Sequence, residues 1–280
     1  MRCPDGYTAD TLVARAIRAG LETSFLGRTI LYAPSTVSTN EDAKSLGSDY
    51  PEGTVFLAGT QSGGKGRIGR QWSSPPGGIF MSAVLRPAIS PERIPALSLV
   101  AGHCVAAEIR SAVGLDARLK WPNDVLVDNR KVCGILCEMR SGSGPLAEVV
   151  VGIGVNANVD ACDLPETAAS LKSLAGRDVN SSNLIAGILN RLEASYLDFL
   201  QNGLSHLAQW IHEHCAFLGE IVVVRNTTAA DQLEKQGIFR GIDRDGRALV
   251  EIPGGETRAF SAGDLSLRVR QKQSDSGAFA

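Results

Sequence analysis

The segment Gly59-Thr-Gln-Ser-Gly-Gly-Lys-Gly-Arg-Ile-Gly-Arg-Gln-Trp72 interleaves glycines with three basic side chains, those of Lys65, Arg67 and Arg70. It follows the short apolar stretch Thr54–Gly59, which is typical of a β-strand. Glycine lets the backbone approach a ligand closely, and successive free N–H groups can form a concave anion site. We therefore expect a strand that leads into a loop for a polyanion, or for an anion formed during a reaction.

Two familiar nucleotide motifs overlap this loop, but their structural context is missing. Gly59–Lys65 matches GxxxxGK, yet Gly66 follows where a P-loop has the hydroxyl that contacts Mg²⁺. Gly64–Gly69 matches the spacing GxGxxG of a dinucleotide fingerprint, which has to open a helix. The proline-containing run Ser73–Gly78 stops a helix instead. A solvated basic turn is the remaining alternative, and Trp72 with strands on both sides argues against it.

Three other short segments place polar groups at the ends of elements. Ser38–Glu41 reads as a capping box at a helix start, where polar groups can also bind a small polar ligand. In Lys120-Trp-Pro-Asn-Asp124 the lysine ends a short strand, so it is either a partly desolvated fixed charge or an ordinary surface lysine. Gly152-Ile-Gly-Val-Asn156 ends an apolar strand. There a flat ring could lie on the backbone beside Asn156, unless the segment is a plain turn.

The order of predicted elements mixes strands, hairpins and helices. Ser90-Pro91 starts a long helix to about Val113, and further helices are expected at about Ser182–Asn202 and Leu204–Cys215. Asp128-Asn129 predicts a two-residue hairpin turn. The predicted strands are Thr29–Ala33, Thr54–Gly59, Gly78–Leu85, Ala117–Trp121, Val125–Val127, Lys131–Met139 and Glu148–Val155. This pattern indicates an α/β (α+β) domain over residues 1–216, with a mixed sheet and packed helices.

The pattern changes near Phe217. From Gly219 onward, short strands alternate with turn signals at Asp245-Gly246 and Gly254-Gly255. We expect a small β-barrel over residues 217–270 and a polar, disordered tail over residues 271–280. The predicted strands are Ile221–Arg225, Gly237–Ile242, Ala248–Ile252, Thr257–Phe260 and Leu265–Val269.

Bulk composition excludes several classes of protein. The 280 residues are 44% hydrophobic and 21% charged with a net charge of −2, which suits a globular protein and argues against electrostatic binding of nucleic acid. No continuous apolar run approaches the ~20 residues that cross a bilayer, and the mixed charges near the N-terminus argue against a signal peptide. The six cysteines form no CxxC pair, so we expect reduced thiols of a cytoplasmic protein and no protein-held metal.

Together these segments resemble the biotin–protein ligase family, in its monofunctional type without an N-terminal DNA-binding domain. That family carries Ser-Thr-Asn, a GRGRxGRxW loop, KWPND, a strand ending in Gly-Ile-Leu-x-Glu, and a GxGxN strand end. The corresponding segments here, in the same order, are Ser38–Asn40, Gly64–Trp72, Lys120–Asp124, Lys131–Glu138 and Gly152–Asn156. The resemblance implies a catalytic fold of the class II synthetase and lipoyl-ligase type, followed by an SH3-like C-terminal barrel.

The resemblance also implies a reaction and its site. ATP and biotin would give biotinyl-5′-AMP and pyrophosphate, and biotin would then pass to a lysine of a biotin carboxyl carrier protein. Mg²⁺ would be bound mainly through ATP phosphates, and Lys120 and Arg67 would be catalytic. By motif position, the biotin site would contain Ser38, Thr39, Asn40, Gln61, Lys65, Gly66, Arg67, Lys120 and Gly134. The nucleotide site would contain Arg67, Arg70, Trp72, Asn123, Lys131 and Asn156.

Two features depart from the family pattern. Lys65 stands where the loop usually has its first arginine, and lysine cannot make the planar bidentate contact of arginine. The stretch before the first predicted strand at Thr29 is too short for the helix-turn-helix domain of the family's bifunctional members, so we expect no DNA binding and no repressor activity.

Two rival functions remain at this stage. A lipoate or octanoate ligase of the same superfamily would need a different loop, and a non-catalytic biotin-binding regulator would not need Lys120 and Arg67 intact. The sequence leaves open the oligomeric state, with a homodimer as one alternative. It also leaves open the identity of the carrier, the role of the barrel, and the general base for transfer, for which Asp124 is a candidate.

Overall fold

The centre of the fold is a seven-stranded β-sheet. The computed structural model describes residues 4–45, 50–140, 148–226, 234–261 and 265–269. The sequence predicted every strand of this sheet, and the structure confirms them with differences confined to the strand ends. The strands are β1 (Ile30–Thr36), β2 (Val55–Gln61), β3 (Ile79–Leu85), β4 (Arg118–Lys120), β5 (Asp124–Val127), β6 (Arg130–Arg140) and β7 (Glu148–Val155).

The sheet is mixed, as predicted. Its strand order is β1-β2-β3-β7-β6-β5-β4, in which β1 and β2 run parallel and the other neighbours run antiparallel. The β5–β6 hairpin turns at Asp128 and Asn129, whose φ angles of 50° and 60° are those of a two-residue turn with a positive-φ backbone. In the β6–β7 pair, Gly134 faces Gly154. This leaves a patch of bare backbone in the middle of the sheet.

Helices pack on the sheet, and the longest predicted ones are present. They are α1 (Leu12–Ala19), α2 (Thr39–Ser45), α3 (Leu97–Glu108), α4 (Leu171–Ala175), α5 (Ser181–Asn202) and α6 (Ala208–His214). The single long helix expected to reach Val113 is divided into a 3₁₀ segment (Pro91–Ala96), α3 and a π-helical end (Ile109–Val113). The 3₁₀ segment contains Pro95, whose ring and missing N–H do not suit a regular α-helix.

The segment Pro91–Val113 is also the one helix among the described residues that has the length and mean hydropathy, 1.3, of a membrane span. Its most apolar window is 67% buried within the protein. It packs against α5 and against β4 to β7. Its apolar composition is therefore accounted for by its place in the core.

A second sheet follows α6. Its five antiparallel strands lie in the order β11-β10-β9-β8-β12. They are β8 (Ile221–Asn226), β9 (Glu234–Ile242), β10 (Ala248–Glu251), β11 (Thr257–Phe260) and β12 (Leu265–Val269), which confirms the predicted all-β segment. Trp121 donates its indole N–H to the carbonyl of Gly246 over 3.0 Å and so ties the two sheets together. The domain bounds at 216 and 270 stay predictions, and the predicted tail 271–280 lies outside the described residues.

Four of the described cysteines lie in the core or at its edge. Burial raises the pKa of the Cys104, Cys137 and Cys215 thiols to about 12, and it raises that of Cys133 as well. These thiols are therefore protonated and unreactive at neutral pH.

Candidate functional site

A cavity of about 460 Å³ lies between the start of α2, the basic loop and strands β4 to β7. It draws together segments that are far apart in sequence, and nearly all of the predicted site residues line it. Those that do so are Ser38, Thr39, Asn40, Gln61, Lys65, Gly66, Arg67, Arg70, Trp72, Lys120, Asn123, Lys131 and Gly134.

The basic loop forms a small hairpin at the cavity mouth. Its two sides are joined by backbone hydrogen bonds from Gly66 N–H to Arg70 O, 2.7 Å, and from Trp72 N–H to Gly64 O, 2.9 Å. The tip includes Gly69 with a φ of 68°, where glycine is favoured. No helix starts here, so the P-loop and dinucleotide alternatives are wrong. The hairpin presents its cations to the cavity.

The end of the loop is seated on the bare backbone of the sheet. The indole of Trp72 covers the facing pair Gly134 and Gly154 so closely that a Cβ on either residue would approach the ring to 2.9 Å or 2.6 Å. The Lys131 ammonium lies 5.0 Å from the ring centroid, in a cation–π contact. On Gly154, the flat ring expected against the Gly152–Asn156 strand end is thus the protein's own Trp72. Its buried indole nitrogen has no hydrogen-bond partner among the described residues.

Buried polar groups form the cavity floor. The Ser82 hydroxyl lies 2.6 Å from Asn40 Oδ1 and 2.7 Å from Thr39 Oγ1. Thr39 donates its backbone N–H to Gln61 Oε1 over 2.8 Å. Gly152 is required beneath this network, because a Cβ there would meet Asn40 Oδ1 at 2.1 Å. The floor therefore holds neutral donors and acceptors that a polar ligand can take over.

The capping box expected at the start of α2 does not form, because Glu41 does not reach back to the helix start. Glu41 pairs with Lys44 at 2.7 Å and with Lys65 at 2.5 Å, away from the helix start. The helix start itself is buried in the floor, where Thr39 N–H has the side-chain acceptor described above.

Cations line another wall of the cavity. The Asp124 carboxylate lies between two ammonium groups, 2.6 Å from Lys131 and 3.5 Å from Lys120. Arg67 reaches across from the loop, with Nη1 3.5 Å from Asn123 Oδ1. Two ammonium groups thus flank one carboxylate, and the Arg67 guanidinium lies beside the neighbouring Asn123. The excess of positive charge makes this part of the cavity suit anionic ligands. Within the described ranges, no group of three or more His, Cys, Asp and Glu side chains is placed to hold a metal ion.

Comparison with known proteins finds the same combination of parts. The Biotin/lipoate A/B protein ligase family matches residues 32–156, and the Biotin protein ligase C terminal domain matches residues 217–268. The Bacillus subtilis bifunctional ligase/repressor BirA is 33% identical over 90% of this chain and 78% of its own length. The Paracoccus denitrificans biotin--[acetyl-CoA-carboxylase] ligase is 36% identical over 79% of this chain and 93% of its own. The chain belongs to the biotin protein ligase family.

Solved structures of the family agree with this assignment. The Aquifex aeolicus biotin protein ligase in complex with biotin and ATP superposes with a TM-score of 0.75 and is 27% identical, covering 86% of this chain and 99% of that one. The mixed α/β sheet with packed helices is therefore a biotin protein ligase fold, and the second sheet corresponds to the family's C-terminal domain.

One predicted site residue takes a different place. Asn156 is buried beside the cavity and donates its side-chain amide to the carbonyls of Lys131 and Ala169, 3.4 and 3.3 Å away. It is not part of the lining, and in this structure it fixes the backbone that carries Lys131. Its contact with a nucleotide remains a prediction.

Sequence reasoning missed other lining residues, chiefly apolar ones. Their signal in the sequence is weak, because an apolar residue in a strand reads as core whichever face of the sheet it lies on. These are Ile68, Phe80, Met81, Trp121, Pro122, Leu126, Ile135, Leu136, Ile153 and Phe217.

Proposed function

We propose that this protein is an ATP-dependent biotin–protein ligase, which forms biotinyl-5′-AMP and then transfers biotin to a lysine of a biotin carboxyl carrier protein. One observation carries the proposal: a single cavity joins a neutral polar floor to cations from three separate segments. The floor suits the ureido ring of biotin, which has N–H donors and a carbonyl acceptor. The cations suit a carboxylate and phosphates; they are Lys65, Arg67, Arg70, Lys120 and Lys131.

The first step brings two anions together. The biotin carboxylate attacks the α-phosphate of ATP, and two like unit charges at 4 Å repel by about 4 kcal/mol at an effective dielectric of about 20. Lys120 and Arg67 line the cavity from two separate elements, the β4 strand and the loop. Their place supports a role in neutralising both anions and holding them in line.

The nucleotide would lie towards Trp72 and Lys131. The indole offers a flat apolar surface for the adenine ring, and Lys131 supplies charge for the phosphates. Arg70 adds a further cation, and Asn123 Oδ1 lies 3.5 Å from Arg67 Nη1. Mg²⁺ bound through phosphate oxygens would help pyrophosphate to leave. The donor set agrees with metal held by the nucleotide, because the one carboxylate in this wall, Asp124, is already engaged by lysines.

In the second step, a lysine amine of the carrier attacks the mixed anhydride and AMP leaves. The hairpin lies at the cavity mouth, which supports a role in covering the adenylate. This intermediate has to be kept from water until the amine arrives. Asp124 remains a candidate for the base that accepts the amine proton. In this role it would have to exchange its contact with Lys131 or Lys120 for the incoming amine.

The setting of the reaction is part of the same proposal. The carrier would be the biotin carboxyl carrier protein of acetyl-CoA carboxylase or of a related carboxylase. The protein would act in the cytoplasm, as a monomer or as a homodimer. The relative from Paracoccus denitrificans is named for acetyl-CoA carboxylase, which supports this choice of carrier.

A transfer assay tests the proposal. Purified protein is incubated with ATP, Mg²⁺, biotin and a biotin carboxyl carrier domain, and the carrier is weighed by mass spectrometry. We expect one biotinyl group per carrier, and none on a carrier whose acceptor lysine is replaced by arginine. No transfer of biotin, or transfer only when lipoate or octanoate replaces it, would contradict the proposal.

A further inference from the structure

A chain of alternating charges joins the basic loop to α2 and β6. Lys65 on the loop lies 2.5 Å from Glu41, and Lys44 joins Glu41, 2.7 Å, to Glu138, 2.8 Å. Glu138 also accepts a hydrogen bond of 2.8 Å from Asn40 in the cavity floor. The loop is therefore linked to the floor by three ion pairs and one hydrogen bond.

Glu41 is the member of this chain that holds the loop. Its carboxylate pairs on one side with Lys44, whose side chain is only 23% exposed. On the other side it pairs with Lys65 of the hairpin, whose side chain is 50% exposed. The two lysines hold the pKa of Glu41 below its ordinary value, so its carboxylate is charged at neutral pH. An isolated ion pair at this exposure contributes little, but a partner already fixed by a network loses less entropy when it pairs.

Charge in the cavity makes the anchor necessary. Lys65, Arg67 and Arg70 lie within one short hairpin that faces Lys120 and Lys131, so these cations repel one another before an anionic ligand arrives. Glu41 is the acidic partner of the first of them. Without it, the repulsion would favour a hairpin displaced from the cavity.

We propose that Glu41 is a positioning residue, which anchors Lys65 and thereby holds the 64–72 hairpin over the cavity before substrates bind. Lys65 then acts in this chain as the attachment point of the loop. The substitution of lysine for the family's usual arginine suits this role, because a single ammonium can meet one fixed carboxylate without the planar geometry that arginine needs. The consequence for the reaction, retention of the adenylate, rests on the proposed function; the anchoring itself does not.

Limited proteolysis of the ligand-free protein tests the anchor directly, because trypsin cleaves after Arg67 and Arg70. In Glu41→Gln we expect cleavage at these two bonds to become about threefold faster, as measured by mass spectrometry of the fragments. The matched control is Asp178→Asn, which breaks the exposed Lys172–Asp178 pair of 2.9 Å elsewhere, and it should leave the rate unchanged. Lys65→Gln, which removes the other member of the pair, should also accelerate cleavage, and the double variant Glu41→Gln with Lys65→Gln should be no faster than the faster single variant. Equal rates in Glu41→Gln and the unaltered protein would overturn the proposal, as would fully additive effects of the two single variants.

A second readout separates the anchor from the proposed function. With biotin, ATP and inorganic pyrophosphatase but no carrier, steady release of phosphate reports adenylate that leaks from the cavity. We expect leakage about threefold higher in Glu41→Gln, with an unchanged first turnover. If the unaltered protein releases no pyrophosphate with biotin, the proposed function fails, and the proteolysis comparison still decides the anchor. If it does release pyrophosphate, faster proteolysis without faster leakage would overturn the catalytic consequence.

Discussion

The seat of Trp72 on two facing glycines predicts a specific effect of adding one methyl group. In Gly154→Ala the new Cβ would lie 2.6 Å from the indole nitrogen, whereas ordinary contacts begin at 3.4 Å, so the ring has to move by at least about 0.8 Å. Overpacking of this kind costs about 1 to 3 kcal/mol. If the displaced ring is the surface that receives the nucleotide, the KM for ATP should rise by about 5- to 140-fold, because each 1.4 kcal/mol is a factor of ten.

The assay is steady-state pyrophosphate release with ATP and biotin varied separately. We expect the KM for ATP to rise while the KM for biotin stays within about twofold, since the floor of Thr39 and Asn40 is not touched. The fluorescence assigned to Trp72, obtained by subtracting the spectrum of Trp72→Phe, should shift as well. Combining Gly154→Ala with Trp72→Phe should give less than the sum of the two effects, because a smaller ring relieves the clash. An unchanged KM for ATP in Gly154→Ala would refute the reasoning.

Three further results are expected. Lys120→Met should slow pyrophosphate formation in a single turnover by about 10- to 150-fold, because it removes one charge-assisted contact with the reacting anions. The control Lys172→Met, at an exposed lysine, should react as fast as the unaltered protein. Burial lowers the pKa of His103 from 6.5 to about 4, so on acidification the unfolded chain binds this proton before the folded protein does. The free energy of unfolding should therefore fall as the pH drops from 6.5 towards 4, by about 3 kcal/mol at most. Urea titrations over this pH range should show a flatter dependence in His103→Gln. Burial alone would raise the pKa of Glu193, but bonds of 2.5 to 3.0 Å from the backbone N–H groups of Ser24–Leu26 outweigh it and lower that pKa. The Glu193 carboxylate thus stabilises the folded protein fully above pH 4.5, and this stabilisation is lost as the pH falls below that value. Glu193→Gln should lower the free energy of unfolding at pH 7 by about 1.5 to 3 kcal/mol. A decrease of less than about 0.5 kcal/mol would contradict this.

Most of the fold could be predicted from the sequence because its strands are strongly apolar. Runs such as Glu148–Val155 are apolar after their first residue and can only be read as strands buried on both faces. The pair Asp128-Asn129 predicts a two-residue hairpin turn by itself. The elements that were missed, α1 (Leu12–Ala19) and α4 (Leu171–Ala175), are only 8 and 5 residues long. Helices so short are marginal alone, and tertiary packing decides whether they form.

The site could be predicted as a set of residues but not as a set of contacts. Motif positions identified the cavity lining, since glycines and cations in a loop have few structural uses. Pairing across the cavity depends on how separate segments fold together. The sequence therefore could not place Glu41 beside Lys65, nor lay Trp72 on Gly154. Asn156 shows the limit most clearly: an amide at a strand end suits a ligand or a backbone carbonyl equally well, and here it bonds two carbonyls.

Biotin-dependent release of pyrophosphate from ATP tests the central claim most directly. Purified protein is mixed with ATP and Mg²⁺, and biotin, lipoate or octanoate is added in parallel, for the unaltered chain and for Lys120→Met. We expect release with biotin alone, and release that is about 10- to 150-fold slower in Lys120→Met. Release with lipoate or octanoate but not with biotin, or no release with any of the three acids, would contradict it.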